Sequence, residues 1–208
     1  MKKIPVTMYR YFFKRVIDVF ISLIGLVVLS PLFLLLIIVL SFAFRGKPFF
    51  IQLRPGRNEV GIKVIKFKSM NDARDKDGNL LPNFDRTTKV GGFIRRTSID
   101  ELPQLINVLR GDMSLVGPRP LLFKYVPLYS KTQRRRLDIK PGVTGWAQVN
   151  GRNEISWKQK FEYDIYYVDH LSFLLDIRIL LLTLKKVFLS EGVNAGENVT
   201  MPPFNGSN

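Results

Sequence analysis

The stretch "IGLVVLSPLFLLLIIV", residues 24–39, constrains this chain most: so apolar a run announces a membrane segment, yet Ser30-Pro31 stands at its centre. From Ile17 to Phe44 the only charge is Asp18. About 20 apolar residues cross a bilayer as one helix, so the length suffices. The run exceeds the roughly 7 to 15 residues of a signal-peptide core, and no small-residue cleavage site follows it. Proline removes a backbone donor and its ring clashes with the carbonyl four residues earlier, so Pro31 should bend the helix near its middle. Each half is then too short to span alone. Lys2, Lys3, Arg10, Lys14 and Arg15 precede the run, and Arg45, Lys47, Arg54 and Arg57 follow it. The positive-inside tendency wants both flanks cytoplasmic. A helix-break-helix that enters and leaves through one leaflet satisfies them; one kinked crossing helix is the alternative.

Charge narrows the partners. Among 208 residues, 32 Lys and Arg face 17 Asp and Glu, a net charge of +15. Such a surface suits a polyanion: nucleic acid, an anionic leaflet or a phosphorylated substrate. There is no cysteine, and His170 is the single histidine. Disulfides, thiolate nucleophiles, cysteine or histidine-rich metal sites and an ordinary Ser-His-Asp triad are excluded. The chemistry must run on carboxylates, amines and guanidinium groups.

After the apolar run, "FFIQLRPGRNEVGIKVIKFKSM" predicts a strand, a turn at Pro55-Gly56 and a second strand with Ile62, Val64 and Ile65 apolar. Residues 71–89 read as a surface loop, and "SIDELPQLINVLRGDM" as a compact helix ended by Gly111. The aromatic-rich segment Ile155 to Tyr167 follows, then a helix from Phe173 to Leu189 that is core or lies on the membrane with Lys185 and Lys186 toward headgroups. The Gly/Asn/Pro-rich tail beyond Glu191 looks weakly ordered, and its Asn-x-Ser/Thr triplets at Asn198 and Asn205 read as chance.

In so basic a chain, the adjacent acids of "RRTSIDELPQL" are conspicuous. The bland explanation is capping: Ser98 and Glu101 match a capping box, or Asp100 caps with Pro103 at the third position. The functional explanation is that an ionised Asp100 attacks phosphorus, kept anionic by a helix dipole and neighbouring arginines, with Glu101 near Mg²⁺. Lys66 and Lys68 of "KFKSM" alternate onto one strand face, and "GPRP" fixes the Arg119 backbone between Pro118 and Pro120. Taken singly, most of these cations read more readily as solvated surface charges.

"SPLFLL", "RPG", "KFKSM", "SIDELPQLINVLRGDMSLVGPRP", "PGVTGWAQVNGRN" and "SWKQKFEYDIYYV" occur here in order. In these motifs, from Tyr9 to Leu189, the chain resembles the monotopic phosphoglycosyl transferases of bacteria, most of all the small bacillosamine-type enzymes that begin N-linked glycan assembly in campylobacter-like bacteria. Ser69 and Ile99 depart conservatively from the Thr and Leu common there. The resemblance implies a mixed α/β (α+β) fold: a re-entrant helix broken at Ser30-Pro31 in residues 1–46, a cytoplasmic catalytic domain in 47–190 and a tail in 191–208. It implies Mg²⁺-dependent transfer of a phospho-sugar from a UDP-sugar to polyprenol phosphate, releasing UMP. Asp100 would be the nucleophile, Glu101 its partner, both near the metal, and Lys66, Arg95 and Arg119 would contact nucleotide or phosphate. Expected partners are anionic inner-leaflet lipids and later-acting glycosyltransferases, with no nucleic acid, at the cytoplasmic face of the bacterial inner membrane. N,N'-diacetylbacillosamine is the sugar the likeness favours. A nucleic-acid binder and a membrane scaffold without chemistry are the rival classes, but the basic residues are scattered over strands and loops with no familiar binding motif.

Overall fold

A computed structural model describes residues 8–151, 155–189 and 202–208. Lys2, Lys3 and Asn198 therefore lie outside the described residues.

The apolar run is two helices. A π-helical turn, Tyr9–Phe13, leads into α1 (Lys14–Val28), and after Leu29 the chain starts again as α2 (Ser30–Ala43). Tyr9–Val28 and Ser30–Ala43 meet at 64°, and among the described residues no single helix is long and apolar enough to cross a membrane. Pro31 falls in the first turn of α2, where its missing N–H is no loss, and the Ser30 hydroxyl donates to the Val27 carbonyl at 2.7 Å. The pair thus breaks before the proline.

Both helices dock one face on the rest of the molecule. On α1 the buried residues are Lys14, Asp18 and Ser22, one turn apart, and on α2 they include Leu36 and Leu40. Spacing by four puts each set on a single stripe. Asp18 accepts the Leu115 backbone N–H at 3.0 Å, and Arg15 donates to the Val108 and Leu109 carbonyls. Lys14 and Tyr9 both bond the Asp176 carboxylate at 2.6 Å. Leu36, Leu40 and Phe44 pack on Phe67 and Ile94, while Val28, Leu34 and Phe42 stay exposed.

The predicted hairpin is present. Strands β1 (Phe49–Pro55) and β2 (Gly61–Phe67) pair antiparallel, with Ile62 and Val64 buried. The loop after it carries isolated bridges and a short helix, Asn83–Arg86, before α3 (Lys89–Arg96). The helix expected from Ser98 is two pieces, a 3-10 turn at Ile99–Glu101 and α4 (Gln104–Arg110). Pro103, lacking an N–H, divides them. Gly111 ends α4 as predicted, in the left-handed region at φ 89.

Next come β3 (Ser114–Val116) and β4 (Gly142–Thr144), a short parallel pair. A side chain at Gly142 would lie 2.1 Å from the Gly117 nitrogen, so only glycine lets these backbones meet. The aromatic segment becomes α5 (Trp157–His170), and α6 (Phe173–Leu189) has its predicted bounds. On α6 Ile179 is fully buried while Leu174, Leu181 and Leu184 are exposed, so it serves the core on one side and presents leucines on the other. Residues 202–208 of the segment expected to be weakly ordered fold back: Phe204 is buried among Tyr125, Tyr129, Trp157 and Phe161, and the Trp157 indole donates to the Pro202 carbonyl at 2.8 Å. Burying a phenylalanine ring stabilises by about 1.5–3 kcal/mol, part of what holds this segment in place.

Candidate active site

Asp100 and Glu101 sit in the turn between α3 and α4. The turn owes its direction to Ser98, whose left-handed backbone (φ 57) ends α3. Helix ends usually give that conformation to glycine, and it costs another residue on the order of 1 kcal/mol. Neither capping explanation holds. Ser98 forms no side-chain cap on the turn, Asp100 lies within it, and Pro103 occupies the cap position of α4.

Two cations converge on Glu101. Its Oε1 accepts from Lys66 Nζ at 2.6 Å and from Arg119 Nη2 at 2.5 Å, and its Oε2 accepts from Arg119 Nη1 at 3.2 Å. Burial alone would raise this carboxyl, but Arg119 and Lys66 outweigh it and hold it far below the usual carboxylate range. The arrangement is over-determined from behind. Asn107 is fully buried, accepts the Ile65 N–H at 3.0 Å and donates to the Lys63 carbonyl at 2.7 Å, sewing α4 to the strand that carries Lys66. Arg136 is buried against Asp164 and donates to the Arg119 carbonyl at 2.7 Å, clamping the backbone already held by two prolines.

Asp100 is different. It is half-buried and accepts no hydrogen bond among the described residues. Burial raises its carboxyl above the usual aspartate value and the Glu101 charge adds to this, while Lys66, Arg119 and Arg95 offset only part. The arginines expected to keep Asp100 anionic offset its burial only in part, because Glu101 has taken the two strongest cations for itself. What results is a carboxylate with unshared lone pairs beside a rigid cationic cluster, the form a nucleophile needs.

A cavity of about 90 Å³ adjoins the cluster, lined by Arg54, Lys66, Gln104 and Arg119 with Val64 and Leu121 among its apolar walls. Sequence reasoning missed Arg54, Gln52 and Gln104 as site residues. Gln52 and Arg54 stand opposite Val64 and Ile62, two buried positions of β2, so polar residues alternating on β1 were the available signal. Arg54 donates to the Gln52 side chain at 2.6 Å and has no carboxylate partner among the described residues. Burial, helped by the Arg119 charge, pulls its guanidinium down to about 10.

Of the predicted residues, Lys66, Glu101 and Arg119 are in contact and Asp100 is adjacent. Arg95 is exposed at the end of α3, 3.5 Å from the Thr87 hydroxyl, and reaches Asp100 only through space. Lys68 does not join Lys66: it pairs with Asp72 and lies over the Phe44 ring. The strand ends at Phe67, so the alternation that would align the two lysines stops between them.

For Mg²⁺ the donor chemistry is compatible. No group of three or more acid or histidine side chains among the described residues could hold a metal, but Mg²⁺ is commonly bound by one or two carboxylates, with substrate phosphates and water completing the shell. Asp100 has free lone pairs, and Glu101 retains one of its roughly four acceptor sites.

Residues 9–190 match the bacterial sugar transferase family. The chain is 52% identical over 194 residues to a Bacillus subtilis protein named uncharacterized sugar transferase EpsL, covering 93% of this chain and 96% of that one. It is 36% identical to the exopolysaccharide production protein ExoY of Sinorhizobium fredii, covering 86% of this chain and 87% of that one. To the UDP-glucose:undecaprenyl-phosphate glucose-1-phosphate transferase of Klebsiella pneumoniae it is 39% identical over 90% of its own length but only 42% of that longer protein. On a match over nearly its whole length, the chain belongs to the bacterial sugar transferase family.

Proposed function

We propose that this protein is a phosphoglycosyl transferase that moves a sugar 1-phosphate from a UDP-sugar to polyprenol phosphate. One observation carries the reading: Asp100, which accepts no hydrogen bond among the described residues, adjoins Glu101 of the Lys66–Glu101–Arg119 cluster, whose two cations also line a cavity. The name of the Klebsiella relative supports the substrate pair. In the first step an Asp100 oxygen attacks the β-phosphorus, the bond from that phosphorus to the bridging oxygen breaks, and UMP leaves with the electron pair. In the second, the lipid phosphate attacks the aspartyl phospho-sugar, forming polyprenyl-diphosphate-sugar and returning the Asp100 carboxylate. Arg119 keeps three of its five N–H groups free of Glu101 for an incoming phosphate. Asp100 and Glu101 would hold Mg²⁺, which neutralises phosphate charge when bound.

The same reading places residues 8–43 as a re-entrant hairpin in the cytoplasmic leaflet, with anionic lipids against the basic surface and later-acting glycosyltransferases as receivers of the product. The bacillosamine assignment rests on motif likeness alone. The relatives above are named for exopolysaccharide production and glucose 1-phosphate transfer, which supports glucose or a related hexose. The test is UMP release from a panel of UDP-sugars with polyprenol phosphate and Mg²⁺. Release with one or a few sugars is expected, and no release with any of them would overturn the proposal.

A further inference from the structure

Gln104, the first residue of α4, is 2% exposed, yet its side-chain amide bonds to no described residue. Buried side-chain amides are nearly always paired. This one lines the cavity that Lys66 and Arg119 also line, so the cavity is where its partner belongs.

We propose that Gln104 is a substrate-binding residue that reads the imide edge of a uracil base; the proposal rests on the UDP-sugar reading above. A glutamine amide presents an acceptor oxygen and donor N–H groups side by side. The matching ligand edge has a carbonyl and an N–H adjacent on the same side, as the N3 edge of uracil does. The other amide a UDP-sugar can carry is an acetamido substituent. A secondary amide is trans, with N–H and C=O pointing opposite ways, so one glutamine cannot take both at once. Val64, Pro120 and Leu121 supply the apolar surface a flat ring packs against, and Arg119 and Lys66 place cations toward the phosphates. The base thus occupies the cavity while the diphosphate reaches Asp100 beside it.

The experiment uses the full chain in lipid nanodiscs and titrates UMP and N3-methyl-UMP by calorimetry. The wild type should bind the methylated ligand about tenfold or more weakly, because methylation removes the N–H that Gln104 accepts. Gln104→Met should bind UMP about tenfold more weakly and lose the preference, and Gln104→Glu, which keeps the acceptor and the size but not the donor, should fall between. Equal binding of the two ligands by the wild type overturns the proposal, whatever the variants do. In turnover, Gln104→Met should raise KM for UDP-glucose and UDP-N-acetylglucosamine alike; a rise confined to the acetamido sugar assigns Gln104 to the sugar and also overturns it. If no UDP-sugar is turned over while the N3-methyl discrimination persists, the transfer reading fails and the uracil site stands.

Discussion

At the scale of single residues, the two adjacent acids divide the labour, and their environments say how. Glu101 is bound by Lys66 and Arg119, whereas Asp100 accepts nothing among the described residues and has its carboxyl raised by burial and by the Glu101 charge. The sign matters for stability. A carboxyl with a raised folded-state pKa binds its proton more tightly folded than unfolded, so stability falls as pH rises from the ordinary aspartate range through the raised value. At neutral pH, ionised Asp100 therefore costs stability. Asp100→Asn should leave the thermal midpoint equal to or above the wild type while turnover falls roughly 10³-fold or more. Normal turnover in that variant would falsify the nucleophile assignment. With UDP-sugar and Mg²⁺ but no lipid acceptor, the wild type should release up to one UMP per site and gain the mass of a phospho-sugar on the peptide containing Asp100. Arg119→Lys belongs to the same scale: lysine keeps the charge but cannot make the two-pronged contact with Glu101, so activity should drop about tenfold or more, with unchanged kinetics returning Arg119 to the role of a surface charge. "SIDE" and "GPRP" made Asp100, Glu101 and Arg119 legible because composition singles them out. Arg136 and Asn107 were illegible because they act by holding backbone that only the fold brings near.

At the scale of elements, the hairpin, the Gly111 helix stop and the bounds of α6 could be read from alternation and turn chemistry, which are local. The interior of the apolar run could not. Its one acid, Asp18, reads as a charge near the membrane, but it is 5% exposed and accepts the N–H of Leu115, a residue distant in sequence. The stripe of Lys14, Asp18 and Ser22 gives α1 a core face, while Val16, Phe20, Leu23 and Val27 stay exposed on its other side. Asp18→Leu should therefore strip the start of β3 of its acceptor and destabilise the fold by about 1–3 kcal/mol, while Asp18→Asn, which still accepts, should cost less. Denaturant midpoints of the two variants decide it; equal losses would mean that the charge, not the hydrogen bond, matters. The break between α1 and α2 has a different cause. Pro31 stops α1 from continuing through it, so Pro31→Ala should let part of the population straighten.

At the scale of the whole molecule, the apolar surface and the positive charge have one common explanation. Phe42 is 85% exposed and Leu174 77%, and both belong to helices whose other faces are core. On the re-entrant reading proposed above, lipid covers these faces. The hairpin cannot move freely relative to the site, because Asp18, Arg15 and Lys14 bind α1 to β3, α4 and α6. In the re-entrant arrangement proposed above, the depth of the hairpin sets the height of Asp100 above the bilayer. For a reaction between a water-soluble nucleotide sugar and a lipid phosphate, that height must match the headgroup layer. A chain crossing the bilayer would carry Met8 and Lys47 to opposite sides, whereas a re-entrant one keeps them together. Met8 and Lys47 are both exposed, and the chain has no cysteine, so a thiol introduced at either position is the only one present. A membrane-impermeant maleimide should label both positions in inverted inner-membrane vesicles and neither in intact spheroplasts. Labelling of position 8 from the outside alone would mean a spanning helix. The Pro31→Ala background supplies the internal control: there, position 8 should become partly accessible from outside, and activity should fall in proportion, because only molecules with both flanks on one side hold Asp100 at the depth where the two substrates meet.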